Sequence, residues 1–190
     1  MITPPGKYLF TSERLGYREW QEADVTPLTA LNSDSEVMRY FPQTYDRAHT
    51  QSFIERMQAM QSQYGYCYYA VDRLEGRQFI GFVGLAYQTY DADFTPCTDV
   101  GWRLARQYWN QGYATEGAKA CLSHATKTLH IPEVVAVASA VNLASIHVMQ
   151  KAGMSYDSSF VHPALTSNPD LKNCVLYRYK TTLKHLLSDT

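Results

Sequence analysis

From residue 115 onward the apolar residues Ala118, Cys121, Leu122, Ala125 and Leu129 recur at intervals of three and four, the spacing of one helix face over about four turns. Pro132 ends that pattern, because the residue before a proline is pushed away from helical geometry. Glu133 to Ser139 then reads as a Val-rich strand. A second, short helix over 143–152 is opened by Asn142, whose side chain can cap free N–H groups, and closed by Gly153. From Asn173 to Lys180, Val175, Tyr177 and Tyr179 alternate with Leu176 and Arg178, the period of a strand. The remaining pattern predicts a strand at 14–19, helices near 22–33 and 47–63, and strands near 66–72, 78–86, 98–104 and 155–161. Pro163 and Pro169 mark a loop before the last strand.

The segment Val100-Gly-Trp-Arg-Leu-Ala-Arg-Gln-Tyr-Trp-Asn-Gln-Gly-Tyr-Ala-Thr-Glu-Gly117 combines a strand, a turn of small and polar residues, and a helix start. The first turn of a helix carries N–H groups without intrahelical partners, and the aligned peptide dipoles add about half a positive charge there. An anion such as a phosphate can therefore sit on it without Lys or Arg. Gly112 and Ala114 keep side-chain bulk away from such a ligand, and Gly112 also tolerates positive φ. Taken alone, Gly112 also reads as a simple turn between strand and helix. The spacing matches neither a Walker A loop nor a dinucleotide-binding glycine pattern.

Composition narrows the picture. The 190 residues suit one domain spanning 1–190. A formal net charge of −1, with both signs scattered, leaves no broad footprint for nucleic acid or an anionic membrane. Apolar runs fall short of the ~20 residues of a membrane helix and the N-terminus lacks an apolar signal core, so the expected location is cytoplasmic. Cys67, Cys97, Cys121 and Cys174 form no Cys-x-x-Cys pair and read as reduced thiols rather than a metal site or disulfide framework. The histidines His49, His124, His130, His147, His162 and His185 show no metal-ligand spacing, so no metal is expected.

Three segments in order carry a resemblance. They are Thr11-Ser-Glu-Arg14-Leu15-Gly-Tyr17-Arg18-Glu-Trp20, then Tyr108-Trp-Asn-Gln-Gly-Tyr-Ala-Thr-Glu-Gly-Ala118, and Asn142-x-x-Ser145-x-x-Val148-x-x-Lys151-x-Gly153. Over residues 11–180 the chain resembles the GNAT superfamily of acyl-CoA-dependent N-acetyltransferases, in its RimJ/RimL-like branch. Asn110 stands where that branch often has Gly, and Gly117 stands beside the usual Ala. The resemblance implies a mixed α/β (α+β) single-domain fold. Its central sheet would hold about seven strands, mostly antiparallel, with helices on both faces, and acetyl-CoA would enter between two splayed strands as co-substrate.

Acetyl transfer requires a neutral amine, a stabilised oxyanion and a thiolate leaving group. Asp99 is the candidate base, on the strand where the resemblance implies that many relatives carry Glu; the shorter Asp favours a bridging water. Its alternative reading is a solvated strand-end carboxylate. Ser145 is the candidate partner of the departing CoA sulfur, as the resemblance implies, or else a first-turn hydroxyl capping a free N–H. The place where some relatives have a catalytic Tyr holds Met149, and that of an alternative Glu base holds Val137. For the cofactor, the backbone of Trp102, Arg103 and Leu104 would pair with the pantetheine amides. Asn110, Gln111, Gly112, Tyr113, Ala114 and Thr115 would cradle the pyrophosphate, and Asn142 would reach the pantetheine arm. Trp109 contacts ligand or packs under the turn.

The acceptor is a primary amine. The resemblance favours the N-terminal α-amine of a protein such as a ribosomal protein, with a small-molecule amine as alternative. The tyrosines at 64, 66, 68 and 69 either line its pocket or belong to core and sheet surface. A catalytically silent acyl-CoA-binding module, and a domain using the turn for another phosphate ligand, are the remaining readings. Monomer and homodimer are both open.

Overall fold

A computed structural model of the chain describes residues 7–180. Its strands are β1 (Phe10–Thr11), β2 (Leu15–Arg18), β3 (Tyr68–Arg73), β4 (Gln78–Gln88), β5 (Cys97–Leu104), β6 (Glu133–Ser139), β7 (Ser155–Val161) and β8 (Asn173–Lys180). The α-helices are α1 (Val25–Ser33), α2 (Ser35–Met38), α3 (Arg47–Tyr64), α4 (Tyr113–Lys127) and α5 (Leu143–Lys151). Residues 1–6 and 181–190 of the expected domain, His185 among them, lie outside the described residues.

All eight strands form one sheet in the order β1-β2-β3-β4-β5-β6-β8-β7, and every pairing is antiparallel except β5 with β6. The mixed, mostly antiparallel sheet is thus as expected, with eight strands rather than about seven. The additional strand is β1, whose two residues are too few to show alternation; it is defined only by its pairing of Phe10 with Tyr17. The helix expected near 22–33 begins as a 3-10 turn at Glu22–Asp24, and α2, four residues long, carried no periodic signal.

Helices cover both faces of the sheet. A Cβ placed on Gly117 of α4 would stand 2.9 Å from Val83 Cγ2. On the other side, the Phe53 ring of α3 lies 5.2 Å from that of Phe82. Phe82 and Val83 are consecutive in β4 and point to opposite faces, so α4 and α3 sandwich the sheet. Gly117 is small because its backbone meets the sheet there. Caps delimit the helices: Asp46 accepts the His49 N–H before α3 and Asn142 accepts the Ser145 N–H before α5. Gly65 and Gly153, with φ of 79° and 87°, terminate them.

The tyrosine run divides by the same alternation. Tyr69 is buried on the α4 side, near His124, whereas Tyr68 points to the α3 side and stacks on Phe82. Tyr66 is buried and Tyr64 exposed. Arg18, inside the fold, forks onto Asp24 at 2.7 Å and Asp72 at 2.9 Å, tying β2 and β3 to the turn before α1. No helix among the described residues is long and apolar enough to cross a membrane.

Between the central strands the sheet opens. β4 pairs with β5 from Gly81↔Leu104 to Gln88↔Cys97, but β5 pairs with β6 at a single register, Asp99↔Val135. Beyond Asp99 the two parallel strands part, and the gap faces the N-terminus of α4.

Candidate active site

After β5 the chain makes a 3-10 turn at Arg106–Tyr108 and then takes two left-handed residues, Asn110 at φ 58° and Gly112 at φ 82°. Asn is among the few non-glycine residues that tolerate this region, which accounts for Asn110 at a position where glycine is usual in the resemblance. The first helical bond of α4 runs from the Glu116 N–H to the Gly112 carbonyl at 2.9 Å. The N–H groups of Tyr113, Ala114 and Thr115 precede it, and Gly112 as N-cap offers no side chain to satisfy them. Among the described residues a Cβ on Gly112 would meet only Arg14 Nη2, at 3.4 Å, so they leave the space before the helix open.

That turn is anchored from below. Glu116 accepts from Ser12 Oγ at 2.6 Å and from the Arg14 N–H and Nε at 2.7 Å each, while Arg14 Nη1 donates to the Gln111 carbonyl at 3.0 Å. Trp109 donates its indole N–H to the Leu104 carbonyl at 2.8 Å, so its ring packs under the turn while bordering the cleft.

A cleft of about 480 Å³ extends from this turn between the end of β5 and α5. Trp102, Arg103, Leu104, Asn110, Gly112, Tyr113, Ala114, Thr115, Asn142 and Ser145 line it; Gln111 and Asp99 do not. Gln111 turns its side chain back to the Gln107 carbonyl at 2.7 Å. Within β5 the ladder alternates: the Ala105 N–H bonds the Ile80 carbonyl, so Arg103 also pairs through its backbone with β4. Trp102 and Leu104 therefore direct their backbone groups away from β4, toward the opening, although the Leu104 carbonyl is taken by the Trp109 indole, whereas Arg103 contributes its side chain.

Asp99 sits at the vertex of the opening, on the sheet face that carries Tyr68 and Arg103. Tyr68 donates its hydroxyl to both carboxylate oxygens, at 2.7 and 2.9 Å, and Gln88 Nε2 donates to Oδ2 at 3.2 Å. Gly101 lets Tyr68 cross the strand, since a Cβ there would meet the ring at 2.9 Å. Burial raises the Asp99 carboxyl to about 6, against hydrogen bonds from Tyr68, Gln88 and the Ala86 N–H that pull it down. It is a held, partly buried carboxylate rather than a solvated strand end. Burial and the adjacent carboxylate push the Tyr68 hydroxyl well above its ordinary range.

On α5, Asn142 spends its side-chain oxygen on the cap, bonding the Ser145 N–H at 3.2 Å. Ser145 and His147 both border the cleft, with Ala144 before and Val148 after them, although residues two apart leave a helix in different directions. Met149 is in the core. Cys67, Cys121 and Cys174 are buried, and burial raises the Cys67 thiol to about 12, the opposite of a reactive nucleophile. No cluster of three or more potential metal ligands occurs among the described residues.

Three features escaped sequence reasoning. Tyr68 and Gln88 reach Asp99 only through pairing of three strands, which leaves no local signal. The Arg103 guanidinium is placed by contacts from α1 and the α2–α3 segment. A second cavity, of about 790 Å³, shares Gly112, Thr115 and Lys151 with the cleft and is bordered by Arg14, Lys119 and Lys127. Lys119, four residues after Thr115, was legible as a neighbour on the same helix face.

Residues 14–155 match the family described as acetyltransferase (GNAT) domain. The chain is 27% identical over 154 residues to the uncharacterized protein YkkB of Bacillus subtilis, covering 80% of this chain and 88% of that protein. Its fold is similar to RimL, a ribosomal L7/L12 alpha-N-protein acetyltransferase solved in complex with coenzyme A, with a TM-score of 0.74 at 16% identity over 92% and 98% of the two chains. It is also similar to spermidine N-acetyltransferase of Vibrio cholerae, solved with CoA and spermine, with a TM-score of 0.70 at 13% identity over 88% and 95%.

Proposed function

Because the chain belongs to the GNAT acetyltransferase family, we propose that it transfers an acetyl group from acetyl-CoA by direct attack of a primary amine, the N-terminal α-amine of a protein or peptide. The observation that carries this reading is the parting of β5 from β6 beyond Asp99, opposite a helix N-terminus whose N–H groups face space that the described residues leave open at Gly112. The residues fit acetyl-CoA. Trp102 would offer backbone groups to an amide-bearing arm, and Tyr113, Ala114 and Thr115 would offer N–H groups to a pyrophosphate. Asn142 borders the same path. Acetyl-CoA supplies the activated acyl group.

Asp99 would take the proton from the amine, directly or through water. With its carboxyl near 6 it is ionised at neutral pH. An α-amine, with a pKa near ~8, is easier for such a base to deprotonate than a side-chain amine near ~10.4. The lower pKa of an α-amine, together with the fold likeness to RimL, favours an α-amine as acceptor. The likeness to a spermidine acetyltransferase supports the alternative of a small-molecule amine. Tyr68 and Gln88 would hold the carboxylate, and Ser145 would hydrogen-bond the leaving thiolate.

Calorimetric titration with acetyl-CoA, beside ATP and NAD, tests the cofactor assignment. Thiol release with N-terminal peptides and small amines then tests the acceptor. Acetyl-CoA binding in the micromolar range with release driven by peptides is the expected result. Absence of binding would overturn the proposal.

A further inference from the structure

Arg103 is a half-buried cation that forms no ion pair among the described residues. Its guanidinium carbon lies 4.0 Å from the Phe41 ring centroid, 5.3 Å from Phe82 and 6.0 Å from Tyr45. Its one side-chain hydrogen bond among the described residues runs from Nη1 to Asn32 Oδ1, at 2.7 Å. Asn32 is itself a neutral support, donating to Thr50 Oγ1 at 3.0 Å. Nε is buried and has no partner among the described residues. None of the ion pairs among the described residues includes Arg103; Glu36, which also borders the cleft, lies 3.8 Å from Arg39. Burial lowers its pKa to about 10, which still leaves it charged at neutral pH.

A partly desolvated guanidinium held by aromatic faces and one amide oxygen retains unused donors in a fork suited to a carboxylate. Arg103 lies on the sheet face of Asp99 and Tyr68 and borders the cleft. It stands four positions beyond Asp99 along β5, ~13 Å of strand. Resting on the reading of the site as an acetyltransferase centre, we propose that Arg103 selects acceptors bearing a carboxylate set back from the attacking amine by a few residues of extended chain, as in a peptide acidic near its N-terminus. The anion completes the pair that the fold leaves open.

The test compares kcat/KM for Ala-Ala-Glu-Ala amide with that for Ala-Ala-Gln-Ala amide. The wild-type protein is expected to prefer the acidic peptide by at least about tenfold, the discrimination expected of a charge-assisted hydrogen bond. Arg103→Gln should bring the ratio close to one, and Arg103→Lys should restore part of it. An equal rate on both peptides by the wild type overturns the proposal. So does a preference that survives in Arg103→Gln, including the case where acetyl-CoA binding alone weakens, which would assign the guanidinium to a cofactor phosphate. Should Arg103→Gln not fold, calorimetry of the wild-type protein with CoA and the two acetylated peptides gives the same discrimination, and equal affinities overturn it. Failure of the acetyltransferase reading has a different signature, no acetyl-CoA binding and no thiol release with any amine.

Discussion

Arg14 and Glu116 meet through two hydrogen bonds of 2.7 Å, one from the backbone N–H and one from Nε, which fasten the entry to β2 beneath the first turn of α4. Arg14 also bonds the Gln111 carbonyl and lies over the Tyr113 ring at 4.4 Å. Two of the segments that carried the family resemblance are therefore one structural unit, whose product is the shape of the turn. Burial would raise the Glu116 carboxyl, but Ser12 and Arg14 outweigh that and hold it below its usual range.

Glu116→Ala should accordingly loosen the turn. The expected loss is about 1–3 kcal/mol in urea unfolding, the usual cost of removing a charged hydrogen-bond partner. Acetyl-CoA affinity should fall with it. A variant with unchanged affinity in calorimetry would show that the turn holds its shape without the clamp.

Gly112→Val places a β-branched side chain at φ 82°, where the only neighbour of a new Cβ among the described residues is Arg14 Nη2. Strain should cost more than ~1 kcal/mol, and the side chain should stand in the proposed pyrophosphate path. Acetyl-CoA binding should be lost while the circular dichroism spectrum persists. Retained affinity would refute the phosphate assignment.

Asp99 sets the pH dependence. As a base it works deprotonated, so activity should fall as pH drops through about 6. Asp99→Asn should remove that limb and lower kcat by about 10²–10⁴-fold. Because the carboxyl is raised in the folded state, its contribution to stability fades as pH rises from ~4 toward about 6. The Asn variant, which still accepts from Tyr68, should therefore be no less stable at pH 7.5 by more than ~1 kcal/mol. A large drop in Tm would mean that the lost activity reports folding.

Ser145→Ala tests the thiolate partner. The Asn142 cap uses the Ser145 backbone N–H, which the substitution retains. Stability should move by under ~0.5 kcal/mol, while kcat falls by roughly tenfold or more. An unchanged kcat in a single-turnover thiol-release assay would remove Ser145 from the chemistry.

Arg18→Ala leaves Asp24 and Asp72 buried without their shared cation and should cost about 3–5 kcal/mol. Burial alone would raise Asp72, but Arg18 and Lys7 hold it below its ordinary value. Its stabilisation is thus present above ~4 and lost as pH falls through the lowered folded value. Acid unfolding followed by tryptophan fluorescence should shift to higher pH in the variant.

Much of the fold was legible locally. The apolar spacing of α4, the Asn142 and Gly153 caps of α5 and the alternation of β8 all depend on neighbours a few residues apart, and there periodicity and capping chemistry suffice. So does the turn: Asn110 and Gly112 are the residue types that left-handed backbone demands. The two-residue β1 and four-residue α2 were not legible, because they exist only through pairing or packing with distant segments.

The carboxylate environment and the Arg103 cation belong to that second class. In sequence Asp99 is one acidic residue on a strand, and Tyr68 could face core or pocket. Only the β3–β4–β5 register puts the Tyr68 hydroxyl on Asp99, with Gly101 leaving room for its ring. Arg103 likewise acquires its meaning from Asn32 and Phe41 in other elements. Backbone conformation is governed by local sterics and hydrogen bonding, which the sequence states directly. Desolvation and charge pairing depend on which distant groups arrive together, and that was decided by the tertiary structure.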